Sequence, residues 1–377
     1  MTRVARIAFA VAAPLVLAHC SASTAPLDPL SWEKVTGSGP NGAILGLGAA
    51  GAFDEKANFT VNAFKDGDTY RLYYGGSDAS GPATCAGING THWRIGVATS
   101  TDGINFARVA GTETGGAILD NGAAGKFDSQ LTYRPFVLKD GATYRMWYNG
   151  ATQPFNCPTG TLGLNRRIGY AESTDGVHFT KFYDGAGPGG SVLPLGANDS
   201  TIDFQQVGYV WVLKDGAQYK MYYSANDAKN FWRVGLATST DARTWTKVTG
   251  KQVGGSVLDL GKDGAFDVAC AYQPSVVKER DQLYRMWYRG CQAPGAFGGP
   301  SRGVIGYAES NDGITWVKIA QPGPSGEALT VGGAGAFDSG GLTTPSVFLD
   351  GNTWNMYYAG FDTTGQYYTG LARAPRQ

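Results

Sequence analysis

Acidic side chains that could do chemistry fall into two groups in this sequence. One group is an aspartate that recurs in a Gly-x-Phe-Asp motif, at Asp54, Asp128, Asp267 and Asp338, with a degenerate Ile-Asp copy at Asp203. The other group consists of acids that do not recur, namely Glu55, Asp199 and Asp227. Because a protonated and an ionised carboxyl group can serve as general acid and general base, the candidate catalytic residues are Asp54, Glu55, Asp128, Asp203 and Asp227.

Both groups have a structural alternative. A residue that is repeated in every unit of a fold more often caps a turn or accepts hydrogen bonds from backbone amides. An acid that occurs once is more often a solvated surface residue. The sequence leaves the catalytic and the structural roles open.

Aromatic, amide and cationic residues near the same chain positions could bind a ligand. Arg134 precedes Pro135 and interrupts an apolar segment, and a guanidinium can bind a hydroxyl or carboxylate through two hydrogen bonds. Aromatic rings can cover the C–H groups of a ligand. The candidate binding residues are His92, Trp93, Tyr133, Arg134, Gln206, Tyr272 and Gln273. An ion pair for Arg134 and packing between loops for the aromatic residues are the alternatives.

Five repeats must position these side chains. The motif aspartates are 64 to 75 residues apart, and each is followed some 16 residues later by an aromatic strand. These strands are Tyr70–Tyr74, Tyr144–Tyr148, Tyr219–Tyr223, Tyr284–Tyr288 and Trp354–Tyr358. About 70 residues with four short strands suit one blade of a β-propeller.

The last repeat lacks its fourth strand, which stands at the other end of the chain. Trp32-Glu-Lys-Val35 matches Trp245-Thr-Lys-Val248 and Trp316-Val-Lys-Ile319. We therefore predict an all-β, five-bladed β-propeller with four-stranded antiparallel blades, in which the N-terminal strand closes the last blade and leaves no open sheet edge. Residues 24–377 form this single domain.

The two faces of the predicted propeller differ in loop chemistry. One face carries short Lys-Asp-Gly and Ser-x-Asp-Gly hairpins, whose glycines supply positive φ angles. The opposite face carries the Gly-x-Phe-Asp linkers and variable connections between the second and third strands. Because variable loops on a rigid scaffold commonly hold binding sites, we place the candidate site on the face with the variable connections.

Composition and the N-terminal segment indicate an exported protein. Lys and Arg balance Asp and Glu at 31 each, which gives no electrostatic basis for binding nucleic acid. Residues 1–22 have the order of a signal peptide, and the 12-residue apolar run from Ile7 to Ala18 is too short to cross a bilayer. Cleavage before Cys20 would lipidate that cysteine, whereas ordinary cleavage would release the protein. We expect a secreted or surface-anchored bacterial protein, monomeric, with no transmembrane segment.

Four cysteines remain after the signal peptide. The hairpin centred near residues 280 and 281 places Cys270 opposite Cys291, so these two are predicted to form a disulfide. By elimination Cys85 and Cys157 form the second. No Cys or His spacing indicates a zinc site.

Gly-x-Phe-Asp, the aromatic second strand and the Ser-x-Asp-Gly-x-x-Trp turn together resemble the five-bladed propeller superfamily of glycoside hydrolases that contains families 43, 32, 68, 117 and 130. The resemblance covers nearly all of residues 32–377. It implies hydrolysis of furanosides or mannosides by carboxylates at the mouth of the central channel. An oligo- or polysaccharide would be the partner, and no cofactor would be needed. Independently of the resemblance, the oxygens of the recurrent aspartates could bind Ca²⁺ in the channel.

The sequence departs from the family pattern where the acids should stand. Aligned on the prolines of the first strands, the equivalent residues are Thr60, Arg134, Gly208, Gln273 and Thr344. Two functions follow as hypotheses. The first is a divergent glycoside hydrolase that uses other carboxylates, and the alternative is a glycan-binding propeller without catalytic activity.

Overall fold

The computed structural model describes residues 29–78, 80, 92–152, 165–292 and 303–376. A short strand β1 (Glu33–Val35) precedes five groups of strands, here called blades 1 to 5. Blade 1 contains β2 (Ala57–Asp66), β3 (Thr69–Asp78), β4 (His92–Ser100) and β5 (Ala107–Val109). Blade 2 contains β6 (Leu131–Asp140), β7 (Thr143–Ala151), β8 (Arg167–Ser173) and β9 (Thr180–Phe182).

The other blades repeat this order. Blade 3 contains β10 (Gln206–Asp215), β11 (Gln218–Asn226), β12 (Trp232–Ser239) and β13 (Thr246–Val248). Blade 4 contains β14 (Cys270–Arg280), β15 (Leu283–Cys291), β16 (Val304–Ser310) and β17 (Val317–Lys318). Blade 5 contains β18 (Gly341–Asp350), β19 (Thr353–Phe361) and β20 (Tyr367–Pro375), and its fourth strand is β1.

The blades close into a ring, which confirms the predicted propeller. The innermost strands β2, β6, β10, β14 and β18 contact one another in that order, and β18 contacts β2 again. β1 pairs antiparallel with β20, with Glu33 opposite Arg373 and Val35 opposite Leu371. The N-terminal strand therefore closes the last blade, as its match to the other fourth strands predicts.

The aromatic second strands hold neighbouring blades together. Tyr73, Tyr222 and Tyr357 are buried and donate hydrogen bonds of 2.7 to 2.9 Å to backbone carbonyls in a hairpin of an adjacent blade. Trp147 Nε1 makes the same contact with the carbonyl of Ala242, at 3.1 Å. A buried donor that finds an acceptor avoids the cost of desolvation, so the repeated aromatic position fixes both the packing and the angle between blades.

Cys270 and Cys291 are directly opposite each other on β14 and β15 and form the predicted disulfide. Cys85 and Cys157 lie outside the described residues, as do residues 1–28, so the second disulfide and the signal peptide stay predictions. In the part of the chain that the structure describes, no helix is long and apolar enough to cross a membrane.

Candidate functional site

Asp54 is an internal support of blade 1. Its carboxylate is fully buried, accepts a 3.0 Å hydrogen bond from the Tyr74 hydroxyl and forms a 2.7 Å ion pair with Arg108 of the outermost strand. Burial raises the pKa of Tyr74 well above its ordinary value, so the phenol remains a hydrogen-bond donor. The carboxylate thus joins the second and fourth strands of its own blade.

The other motif aspartates make the same contacts. Each is buried and pairs with one lysine at 2.5 to 2.7 Å and with the tyrosine that ends the aromatic strand. The lysine pairs are Asp128–Lys181, Asp203–Lys247, Asp267–Lys318 and Asp338–Lys34. Because the arrangement occurs in every blade and lies away from the channel lining, it favours the structural role for Asp54, Asp128 and Asp203 over the catalytic one.

Glu55 and Asp227 also interact with residues that are close to them in the chain. Glu55 accepts a 2.7 Å hydrogen bond from the backbone of Gly51. Asp227 accepts from the backbone amides of Lys229 and Phe231 and forms a 2.5 Å ion pair with Arg233. The contacts of Asp227 hold the turn between β11 and β12, and that of Glu55 lies in the loop before β2.

Asp227 has a counterpart in blade 1 that the sequence comparison missed. Asp78 pairs with Arg94 at 2.5 Å at the equivalent positions of β3 and β4. His92 lies on this ion pair, with Nδ1 2.8 Å from Ser80 Oγ and 3.0 Å from Arg94. Burial and the charge of Arg94 lower the pKa of His92, so its imidazole is neutral at pH 7. His92 therefore supports this turn and does not join the residues at the channel mouth.

Each innermost strand has a bulge near the end that faces the variable connections. The bulge residues all have a positive φ, between 47° and 63°, and they are Thr60, Arg134, Tyr209, Gln273 and Thr344. A left-handed conformation is costly for such residues, so its fivefold recurrence shows that the fold imposes it. The bulge turns one side chain per blade towards the channel, and the resemblance to glycoside hydrolases implies acids among these positions.

The structure corrects the sequence alignment of the first strands in blade 3. Gly208 remains in register opposite Ser224, and the bulge begins at Tyr209. Tyr209, and not Gly208, is therefore the equivalent of Arg134. The sequence alignment was shifted by one residue because blade 3 has Val210 where blades 2, 4 and 5 have a proline.

The channel between the bulges is nearly filled. The cavity that remains in the channel has a volume of about 30 Å³. It is lined by the five bulge residues and their neighbours, including Asn62, Phe136 and Trp211. No Asp or Glu is among the described residues that line it. The Arg134 guanidinium stands 3.3 Å from the centre of the Tyr209 ring and 4.5 Å from that of Phe59. Burial lowers the pKa of Arg134 to about 10, which leaves the group charged at neutral pH.

Aromatic rings and arginines surround Arg134 in what we call the mouth cluster. Its members are Phe59, Trp93, Tyr133, Arg134, Arg166, Tyr209, Trp232, Tyr272, Arg289 and Tyr367. Neighbouring rings lie 4.4 to 6.3 Å apart between centroids, which is the range of favourable aromatic pairs. The cluster lies on the face of the variable connections.

Polar contacts fix the arginines within the cluster. Arg166 donates to the Tyr133 hydroxyl and to Gln206 Oε1, both at 2.7 Å. Arg289 donates to the Tyr272 hydroxyl at 2.7 Å. A Cβ at Gly303 would lie 2.4 Å from Arg289 Nε, so this glycine makes the room that Arg289 fills.

Four of the seven predicted binding residues belong to the mouth cluster, and two more, Gln206 and Gln273, lie next to it. Six members of the cluster were not predicted. Gln206 contacts the cluster through Arg166, while Gln273 lies in the channel beneath it. Arg166 and Trp232 occupy the position of Trp93, two residues before the recurrent Ile/Val-Gly pair. That shared offset is a signal the sequence comparison did not use. Arg289 has no counterpart by residue type in other blades, where Gly75, Asn149, Ser224 and Ala359 stand.

An open pocket of about 270 Å³ lies beside the cluster in blade 3. Phe231 gives it an apolar wall, and Asp199, Ser200 and Lys229 give it polar ones. It is linked to the cluster through Asn226, whose amide donates to the Phe231 carbonyl and whose Oδ1 lies 3.5 Å from Gln206 Nε2. The pocket combines an aromatic side chain with exposed hydrogen-bonding groups.

The channel lacks the ligands for the Ca²⁺ ion that the sequence allowed. The motif aspartates that would ligate it are held inside the blades by lysine or arginine, and the channel lining offers no carboxylate in the described residues. Across residues 29–376, leaving out the undescribed segments, no group of three or more His, Cys, Asp or Glu could hold a metal ion.

Comparison with known proteins finds sequence relatives in Mycobacterium tuberculosis and solved structures with a similar fold. The chain is 30% identical over 250 residues to the uncharacterized proteins Rv1502 and MT1551 of two Mycobacterium tuberculosis strains, which covers 66% of this chain and 72% of theirs. A search against models of protein families finds no match.

Solved structures share the fold at low sequence identity. A glycosyl hydrolase from Bacteroides ovatus superposes with a TM-score of 0.57 at 18% identity, over 85% of this chain and 84% of that one. A family 117 glycoside hydrolase from Zobellia galactanivorans gives 0.60 at 14%, over 92% and 90%. The chain shares its fold with propeller-type glycoside hydrolases, and it belongs to the same protein family as Rv1502.

Proposed function

We propose that this protein is an extracellular glycan-binding propeller that does not hydrolyse its ligand. The observation that carries the proposal is the chemistry of the five bulge positions, where the related enzymes are expected to hold acids. Here they present two hydroxyls, a guanidinium, a phenol and an amide. Most glycoside hydrolases cleave the glycosidic bond with two carboxyl groups, about 5 to 9.5 Å apart, on either side of that bond.

Blade 3 offers the space in which a sugar ring would bind. The pocket beside the mouth cluster is open, and Phe231 provides an apolar surface while Asp199, Ser200 and Lys229 provide hydrogen-bonding groups. One of its two acids, Asp227, is a poor catalyst because it already pairs with Arg233. Apolar contact on one side and convergent polar groups on the other are typical of ligand sites.

The predicted signal peptide supports a ligand outside the cell. The N-terminal segment has arginines at positions 3 and 6, an apolar run and Cys20, which is the order of a signal peptide. The disulfide between Cys270 and Cys291 agrees with an oxidising compartment.

The proposal is tested by measuring, on immobilised glycans, both the retention of the protein and the release of sugar. Residues 24–377 are applied to arabinans, fructans, mannans and acidic bacterial glycans, and both bound protein and freed sugar are measured. We expect binding to at least one glycan with no release, and about tenfold weaker binding for Phe231→Ala, because an aromatic contact contributes about 0.5 to 1.5 kcal/mol beyond area burial.

A matched control comes from a second pocket of about 330 Å³, lined by Asp184, Arg243 and Thr244. Thr244→Ala in that pocket should leave binding unchanged. Steady release of sugar by the wild-type protein would overturn the proposal and restore the hydrolase hypothesis. Absence of binding across the panel would also count against it.

A further inference from the structure

Two buried polar groups in the channel have no hydrogen-bond partner among the described residues. They are Nε2 of Gln273 and Oγ1 of Thr344. Gln273 Oε1 accepts hydrogen bonds from the Thr344 amide at 2.8 Å and the Thr343 hydroxyl at 2.5 Å, which fixes the orientation of the amide. Gln273 is 2% exposed and Thr344 8%. A buried amide N–H₂ without an acceptor is costly, so the site calls for an occupant.

Both side chains line the same cavity as Arg134 and Asn62. Asn62 Oδ1 already accepts a 2.8 Å hydrogen bond from the Val137 backbone amide. Asn62 can therefore act towards the cavity as a donor through its side-chain N–H₂ group. The Gln273 and Asn62 amides therefore offer N–H donors and the Thr344 hydroxyl can donate as well, while Arg134 carries a full positive charge. A cation finds no carboxylate among the described lining residues, whereas an acceptor of negative charge finds several donors.

Size restricts the occupant further. A cavity of about 30 Å³ has room for a single small species, which excludes a sugar or a phosphate monoester. We propose that the channel binds one halide-sized monovalent anion, chloride under ordinary conditions, between Arg134, Gln273 and Thr344.

Such an anion would act on the whole propeller. Arg134 belongs to blade 2, Gln273 to blade 4 and Thr344 to blade 5, so a shared ligand would link three blades at the axis. The site stands apart from the proposed glycan pocket in blade 3 and does not depend on it.

Two measurements on residues 24–377 test the site. The first is thermal unfolding in sodium chloride and in sodium gluconate at equal ionic strength, since gluconate is too large for the cavity. A ligand that binds only the folded state stabilises it by mass action, so we expect a saturable rise in Tm with chloride alone. The second is diffraction from crystals grown in bromide, with an anomalous peak expected in the channel.

Substitutions separate the site from a general salt effect. Thr344→Val removes one donor and keeps a β-branched side chain, and it should raise the chloride dissociation constant about tenfold. Thr315→Val, in a hairpin turn of blade 4, should leave the chloride response unchanged. Equal Tm in both salts, or a channel that holds water and no bromide, would overturn the proposal.

Discussion

Removing the charge of Asp128 tests whether the motif aspartates support the blades. The Asp128 carboxylate accepts 2.7 and 3.0 Å contacts from Lys181 and Tyr148 and a third, at 3.2 Å, from Tyr183. Asp128→Asn retains the shape but leaves the largely buried Lys181 without its carboxylate. Burial already lowers the pKa of Lys181, and Asp128 counteracts that effect.

The expected loss is about 3 kcal/mol. Breaking a buried ion pair by removing one partner costs about 3 to 5 kcal/mol. Lys181 keeps a hydrogen bond to the Asp120 carbonyl, which places the expected value at the lower end. Urea unfolding followed by tryptophan fluorescence measures the change.

A second substitution makes the result specific. Asp128→Asn combined with Lys181→Met removes the uncompensated cation and should recover about half of the lost stability, because a buried pair replaced by uncharged groups is often neutral. Glycan binding by the folded fraction should be unchanged in both variants. A stability loss below about 1 kcal/mol, or a loss of function in a fully folded Asp128→Asn protein, would refute the structural role.

Two further predictions concern the hairpins. Ala242 has a φ of 69° where the equivalent turns have glycine, so Ala242→Gly should stabilise the protein by about 0.5 to 1 kcal/mol, measured by urea unfolding; a destabilised variant would contradict this. Hydrogen bonds from Lys214 and Tyr219 lower the pKa of Asp140 below its ordinary value. The stability that this group contributes is complete above the unfolded pKa near 4 and is lost as the pH falls below it. Asp140→Asn should therefore flatten the fall in the urea midpoint between pH 5 and pH 2, and an unchanged slope would argue against the interaction.

Recurrence made the fold predictable from sequence. The Trp32 strand matched the fourth strands of other repeats, and it pairs with β20 as expected. The aspartates that recur could also be suspected of a structural role, and each is found in a buried ion pair. These features are visible in one sequence because equivalent blades solve the same packing problem with the same residue types.

The site was harder to predict, because its members differ from blade to blade. Trp93, Arg166 and Trp232 hold one position with different side chains, and Arg289 enters from a second strand only where Gly303 leaves room. The one-residue shift at Tyr209 was hidden by the missing proline. The role of Asp227 was hidden too, since its counterpart Asp78 lies before a connection of different length.

A crystal structure with a retained glycan tests the central claim most directly. The account predicts a sugar ring against Phe231 in the blade 3 pocket, with an intact glycosidic bond and no pair of carboxyl groups on opposite sides of it. A glycosidic bond held between two carboxyl groups about 5 to 9.5 Å apart would contradict the account and identify a hydrolase.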